Sequence, residues 1–86
     1  MFETKIRLHP HASERMLERG VSREEVGMTI ERGEQFSAKY GRTGFRRNFS
    51  CDGTWRGKRY GVKQIDIYAE KEDSEWLVVT VISRYF

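Results

Sequence analysis

Three side chains that could do chemistry recur at every fourth residue near the start of the chain. His11, Arg15 and Arg19 would share one side of a helix, because residues four apart are neighbours on a helix surface. A neutral imidazole can act as a general base, and an arginine can hold a phosphate and stabilise the charge of its transition state. A structural alternative is that the arginines pair with glutamates of the two predicted helices, namely Glu14, Glu18 and Glu31.

A second polar set closes the last predicted strand and comprises Thr80, Ser83, Arg84 and Tyr85. If this strand end lay beside the histidine-bearing helix, one cleft would hold a base, a cation and a proton donor. Those are the groups that a metal-independent ribonuclease requires. We therefore predict the catalytic residues His11, Arg15, Arg84 and Tyr85. The alternative is a polar, frayed strand end without a chemical role.

Positive charge is concentrated in the middle of the chain. The formal net charge is +3, but residues 39–63 hold eight lysines and arginines against a single acidic residue, Asp52. Such a field favours an anionic partner. Interleaved aromatic residues favour nucleic acid, because guanidinium groups match phosphates and aromatic rings stack on bases. The predicted nucleic-acid-binding residues are Arg42, Arg46, Arg47, Arg56, Lys58 and Arg59. The alternative is a pair of strands whose charges only keep them solvated.

Helix-capping residues predict how the first set is held. Pro10 suits the first position of a helix and Gly20 the residue just after its end, which predicts a helix over Pro10–Arg19. Ser22 and Glu25 form a capping-box pattern, which predicts a second helix over Arg23–Arg32. Helical spacing predicts that five residues of these helices face the core, namely Ala12, Met16, Val26, Thr29 and Ile30. Arg19 lies close to that direction, so we expect it to be structural.

The later part of the chain has the two-residue period of strands. After a short lead strand or arm at residues 4–8, we predict strands at residues 34–40, 45–51, 59–70 and 76–85, with a hairpin turn at Asp52-Gly53. The predicted fold is α+β, with two short N-terminal helices packed on one face of a four-stranded, mainly antiparallel meander sheet.

Two of these strands carry patterns that predict their surroundings. Ile65 and Ile67 alternate with polar residues such as Asp66, which predicts one buried face and one face in water. Residues 77–81 are almost continuously apolar, which predicts a central strand covered on both faces.

Length and composition narrow the other possibilities. Eighty-six residues make one domain, residues 1–86, with a single modest core. No stretch approaches the roughly 20 apolar residues of a membrane span, and the first residues do not resemble a signal peptide, so we expect a cytoplasmic protein without a membrane partner. Cys51 is the single cysteine, and no metal-ligand spacing or glycine-rich phosphate loop occurs. We therefore expect no metal and no cofactor.

The segment that carries the first set resembles a known family. Members of the bacterial domain-of-unknown-function family 4258 (DUF4258) begin with a similar pair of helices, matched here by His11-Ala12-x-x-Arg15-Met16-x-x-Arg19-Gly20-Val21-Ser22 and then by Val26, Ile30 and Gly33-Glu34. They end with a strand similar to Thr80-Val81-Ile82-Ser83-Arg84-Tyr85. The resemblance spans most of the chain and is most specific over residues 11–34.

That family is similar in outline to the barnase, EndoU, colicin and RelE-like ribonucleases, many of which are toxins that cleave RNA without a metal. The resemblance implies RNA as the substrate and an antitoxin-like protein as a partner. It also implies a site containing His11 and Arg15 together with Thr80, Arg84 or Tyr85.

Two functions therefore compete, and the residues alone leave open whether the protein is an enzyme. The first is an RNA-directed, RelE-like (toxin-like), metal-independent endoribonuclease. The second is a non-enzymatic module that binds nucleic acid or protein through the basic strands. A third reading is a scaffold domain in which the histidine–arginine set is purely structural.

Overall fold

The helix caps determine the first part of the fold. The computed structural model describes residues 5–55 and 57–86, and its two helices are α1 (Pro10–Arg19) and α2 (Arg23–Arg32). Gly20 follows α1 in the left-handed conformation, with φ 66°, and its N–H donates to the Met16 carbonyl. Ser22 and Glu25 complete a capping box at the start of α2. Both predicted helices are confirmed.

Within the described residues, five strands form one sheet beside these helices. In chain order they are β1 (Lys5–Leu8), β2 (Glu34–Ser37), β3 (Thr43–Trp55), β4 (Lys58–Glu72) and β5 (Glu75–Tyr85). Their order across the sheet is β1-β5-β4-β3-β2. β1 runs parallel to β5, whereas the other neighbouring strands are antiparallel.

The α+β class is confirmed, but the predicted four-stranded antiparallel meander is wrong. β1 is a further strand of the sheet, and its parallel pairing with β5 makes the sheet mixed. Lys5 lies opposite Glu75, so this pairing joins residues near the two ends of the chain. Hydrophobic period and turn signals describe neighbouring residues only, which is why they did not predict it.

The hairpin of β3 and β4 also differs from the prediction. β3 continues through the predicted turn at Asp52-Gly53 as far as Trp55, which lies opposite Lys58. A register shift between Ser50 and Gly53 accommodates the glycine as an irregularity inside the strand. The predicted turn at Asp52-Gly53 is therefore wrong.

Both helices pack on the same face of the sheet. α1 contacts β5 and α2 contacts β3 and β4. The helix residues predicted to point inward are all buried, and they meet the sheet side chains Phe45, Ile65, Ile67, Ala69, Val78 and Val81. No helix of the described residues covers the opposite face, which we call the helix-free face.

Candidate functional site

Two adjoining cavities form a groove across the helix-free face. One has a volume of about 570 Å³ and is lined by Phe36, Ser37, Ala38, Lys39, Tyr40, Arg42, Tyr68 and Thr80. The other has a volume of about 630 Å³ and is lined by His9, His11, Arg42, Glu70, Leu77, Val79 and Thr80. Arg42 and Thr80 line both cavities, so the two cavities adjoin at these residues and together extend from the β2 side to the start of α1.

The floor of this groove corrects the prediction for the last strand. We expected residues 77–81 to be covered on both faces, but Leu77, Val79 and Thr80 are half-buried and line the groove. A register shift between β4 and β5 follows Tyr68, so that Val78 and Val81 both face the helices. The apolar run therefore forms the core on one side and an open, apolar floor on the other.

Aromatic side chains occupy the β2 end of the groove. The Phe36 and Tyr68 rings meet edge to face, with centroids 6.1 Å apart. Tyr40 is 87% exposed, and the Arg42 guanidinium lies 5.7 Å from the centre of its ring. Rings and guanidinium groups together make a surface on which unpaired bases can stack.

Tyr40 also has an unusual backbone conformation. The predicted strand 34–40 ends at Ser37, and a single 3-10 turn, Lys39–Gly41, follows it. Within that turn Tyr40 adopts φ 63°, a left-handed conformation that is rare for an aromatic residue. Such strain occurs most often at functional sites. The turn presents the ring to solvent at the rim of the groove.

Two histidines occupy the α1 end of the groove. His9 is the N-cap of α1, and its Nδ1 accepts the backbone N–H of His11 at 3.1 Å. His11 is exposed and lines the same cavity as His9. Opposite them, Arg42 Nε and Glu70 Oε1 form an ion pair of 3.3 Å. A base, a cation and a carboxylate therefore line one cavity.

A buried carboxylate lies beside the groove on the same face. Asp66 is fully buried and accepts hydrogen bonds from two arginines. Arg46 binds it through Nε (2.8 Å) and Nη2 (3.0 Å), and Arg84 binds it through Nη1 at 2.7 Å. The expectation that this face of β4 lies in water is therefore wrong at Asp66, because the two guanidinium groups cover it. We call these three residues the arginine–aspartate cluster.

The cluster changes the acid–base properties of Asp66. Burial raises the pKa of its carboxyl, but the hydrogen bonds and charges of Arg46 and Arg84 outweigh burial and hold the pKa below the ordinary value of 3.8. The bond to Asp66 likewise raises the pKa of Arg46. The carboxylate thus stays charged in the folded protein.

This lowered pKa predicts how stability depends on pH. The folded protein binds a proton at Asp66 less readily than the unfolded chain, so its contribution is complete above the unfolded value of 3.8 and is lost as pH falls through the folded pKa. Asp66→Asn lacks this dependence. In urea unfolding experiments, the stability advantage of the wild type over Asp66→Asn is therefore expected to shrink as pH falls below about 4. A constant difference across that range would contradict the assignment.

The structure separates the four predicted catalytic residues. Arg15 Nη1 forms an ion pair with Glu18 at 2.7 Å, as the structural alternative anticipated. The Tyr85 hydroxyl donates to the Arg19 carbonyl at 2.9 Å, at the opposite end of α1 from His11. Eight helical residues span about 12 Å. Tyr85 therefore lies well away from the imidazole.

Arg84 and Tyr85 point to opposite faces, because successive residues of a strand alternate. Arg84 joins the arginine–aspartate cluster on the helix-free face. Tyr85 faces the helices and lines a smaller cavity of about 190 Å³ with Gly20 and Lys63. Arg19 donates from Nη1 to the Val81 carbonyl at 2.5 Å, so its predicted structural role is confirmed.

The basic segment is less available to a partner than its charge indicates. Arg42 and Arg46 pair with acidic residues of β4, and Lys63 pairs with Glu25 at 2.8 Å. Arg47 lies on the helix side, where its guanidinium is 5.5 Å from the centre of the Phe49 ring. Lys58 and Arg59 are exposed near the end of the hairpin, and Arg56 lies outside the described residues.

Sequence reasoning missed several groove residues. Glu70 and Tyr68 have the same strand parity as Asp66, so the alternation already placed them on one face, but nothing local indicated a groove there. Phe36 lies in the strand predicted at residues 34–40, and the strand pattern indicates no functional role for it. Only its contacts with Tyr68 and Arg46 reveal its place in the groove.

The described residues hold neither a metal-binding group of side chains nor a membrane-spanning helix. No group of three or more histidine, cysteine, aspartate or glutamate side chains could hold a metal ion in residues 5–55 and 57–86. Among the helices of that same part of the chain, none has the length and apolar character needed to cross a membrane.

The fold and the groove define a small α+β protein whose candidate site lies on the helix-free face of its sheet. The chain belongs to the family described as Domain of unknown function (DUF4258), whose family model matches residues 8–83. Searches of the curated proteins and of the solved structures found no match.

Proposed function

We propose that this protein binds single-stranded RNA in the groove of the helix-free face. The observation that carries the proposal is that the two cavities adjoin, so that stacking rings, a shared arginine and two histidines line neighbouring parts of one groove. An extended strand of RNA needs such a groove, because its bases stack on rings while its phosphates meet cations.

The charges and burial of the groove support this choice of ligand. Lys39 and Tyr40 are exposed at its β2 end, where both the cation and the ring are accessible. Arg42 is central, and its side chain is 36% exposed in spite of the pair with Glu70. When a phosphate takes the place of Glu70 beside Arg42, little binding free energy is lost, since surface ion pairs contribute only about 0–1 kcal/mol.

Arg42→Ala tests the proposal most simply. Loss of a charge-assisted contact at the centre of the groove is expected to weaken binding of a fluorescent oligouridine roughly tenfold, as measured by anisotropy. Arg23→Ala removes the same charge from α2, which packs against the other face of the sheet. It is expected to leave the affinity nearly unchanged. Equal weakening by both variants would show a non-specific charge effect and contradict the groove.

A second candidate function, RelE-like, metal-independent cleavage of the bound RNA, is favoured by the α1 end of the groove. His11 lines a cavity with Arg42, so one strand of RNA could meet both. His11 would take the proton of a ribose 2′-hydroxyl, whose oxygen would attack the adjacent phosphorus to form a 2′,3′-cyclic phosphate as the bond to the 5′-oxygen breaks. Arg42 would neutralise the charge that develops on the phosphate oxygens, and the departing 5′-oxygen would take a proton from solvent. Arg42 thus replaces Arg15 and Arg84 as the proposed cation, because it lines the same cavity as His11.

A protein partner of the antitoxin type would fit the same proposal by covering this groove. The exposed Tyr40 and the apolar floor at Leu77 and Val79 are surfaces that a protein inhibitor could bury. Such a partner and RNA would then compete for one site.

A further inference from the structure

Two arginines share one carboxylate on the helix-free face. Asp66 is fully buried beneath them, whereas the side chains of Arg46 and Arg84 remain 43% and 46% exposed. Arg46 comes from β3 and Arg84 from β5, on either side of Asp66 in β4. The carboxylate therefore holds two guanidinium groups from different strands at one place on the surface.

The contacts leave donors available on both guanidinium groups. Asp66 accepts from Nε and Nη2 of Arg46 and from Nη1 of Arg84. A guanidinium carries five N–H donors, so each arginine keeps others that are not used by Asp66. Asp66 compensates one of the two cations, and Glu34, which lies opposite Arg46 in β2, is a further, exposed carboxylate near Arg46.

The cluster adjoins the β2 end of the groove. The Arg46 guanidinium lies 5.3 Å from the centre of the Phe36 ring, and Phe36 lines the groove together with Tyr68. Asp66 and Tyr68 are two residues apart on the same face of β4, which corresponds to about 7 Å. A strand of RNA stacked on these rings would carry its backbone past the two arginines.

We propose that Arg46 and Arg84 form a phosphate-binding fork for the RNA backbone, and that Asp66 is the residue that positions it. This inference rests on the proposed function and extends it by one subsite. Guanidinium groups bind phosphate through paired N–H donors, and groups that are already fixed lose less conformational entropy on binding. The alternative is a cross-strand clamp that stabilises the sheet only.

Asp66→Asn separates these two roles, because charge and position predict opposite results. Removing a negative charge beside the RNA would by itself tighten binding. If Asp66 positions the fork, binding of an oligouridine is instead expected to weaken about threefold to tenfold, despite the added positive charge. Arg84→Lys keeps the charge but lacks the planar fork, and it is expected to weaken binding by a similar factor. Arg23→Lys is the matched control and is expected to bind like the wild type.

Each outcome of this experiment decides between the roles. Affinity that is unchanged or tighter in Asp66→Asn, while Arg42→Ala still weakens binding, overturns the fork and leaves the proposed function standing. If Asp66→Asn does not fold, as judged by circular dichroism, Arg84→Lys decides alone, and unchanged affinity overturns the fork. Failure of the wild type to bind RNA overturns the proposed function and the fork together.

Discussion

In an RNA-cleavage assay containing EDTA, His11→Ala is expected to lower the cleavage rate by at least about 100-fold. A positioned general base contributes roughly 10²–10⁴-fold to a rate, and His11 is one of two exposed imidazoles at the α1 end of the groove, the other being the capping residue His9. EDTA removes the contribution of any contaminating metal-dependent nuclease. The rate is measured on a single-stranded RNA with saturating protein, so that weakened binding does not lower it.

His9→Ser is the matched control for this variant. His9 caps α1 through a side-chain acceptor, and a serine hydroxyl can accept the same backbone N–H. The control therefore removes an imidazole from the same cavity while keeping the helix start. We expect it to retain most of the activity. Equal rates for the wild type and His11→Ala, or no cleavage by the wild type, would contradict the proposed enzymatic function. Either result would leave the proposal of RNA binding standing.

Gly33→Ala is expected to lower the free energy of unfolding by about 2–3 kcal/mol, which is a shift of roughly 10–20 °C in Tm. A Cβ at this position would lie within 3.0 Å of the Thr29 carbonyl oxygen and 2.7 Å from that of Arg46. Both are backbone atoms, so relief requires the last turn of α2, which contains Thr29, to change its backbone geometry and Gly33 to move away from β3, which contains Arg46. Arg46, whose carbonyl this Cβ would meet, also binds Asp66 through its side chain. A shift of β3 at this point would therefore also move a member of the arginine–aspartate cluster.

Gly61→Ala is the control for the effect of Gly33→Ala. No atom lies within 4 Å of a Cβ built at Gly61, and its φ is not in the positive range. Its free energy of unfolding is expected to stay within about 0.5 kcal/mol of the wild type in urea denaturation. An equally small effect of Gly33→Ala on the free energy of unfolding would contradict the close backbone contact between the end of α2 and β3.

The helices could be predicted closely because their signals are local. Gly20 and the Ser22–Glu25 capping box each satisfy backbone groups within a few residues, so the bounds of α1 and α2 follow from the sequence alone. The same holds for the buried faces, since Ala12 and Met16 follow from helical spacing. Arg19 could be assigned a structural role for the same reason.

The sheet and the site depend on contacts between distant residues, which local patterns do not encode. The pairing of Lys5 with Glu75 and the bond of Arg84 to Asp66 join separate segments of the chain. Asp66 did carry one signal, because a carboxylate between Ile65 and Ile67 needs a partner if it is buried. Its partners, Arg46 and Arg84, could not be chosen from the sixteen lysines and arginines of the chain without the register of the strands.

The charge pattern predicts a broad basic surface. The accessible basic surface is smaller than that, because several of the basic side chains pair with carboxylates of other segments. Arg42, Arg46 and Lys63 each meet a carboxylate from another segment. Lys58 and Arg59 remain exposed near the end of the hairpin, and on the helix-free face a narrower path of rings and arginines is accessible. The prediction of a nucleic-acid partner thus becomes a proposal about a defined groove.

The most direct test of that groove is an NMR titration of ¹⁵N-labelled protein with a short oligouridine. We predict chemical-shift changes concentrated at Phe36–Arg42, around Tyr68 and Glu70, and at Val79 and Thr80, with α2 largely unchanged. Changes centred on α2 and the smaller cavity at Lys63, or no saturable change at all, would contradict RNA binding on the helix-free face.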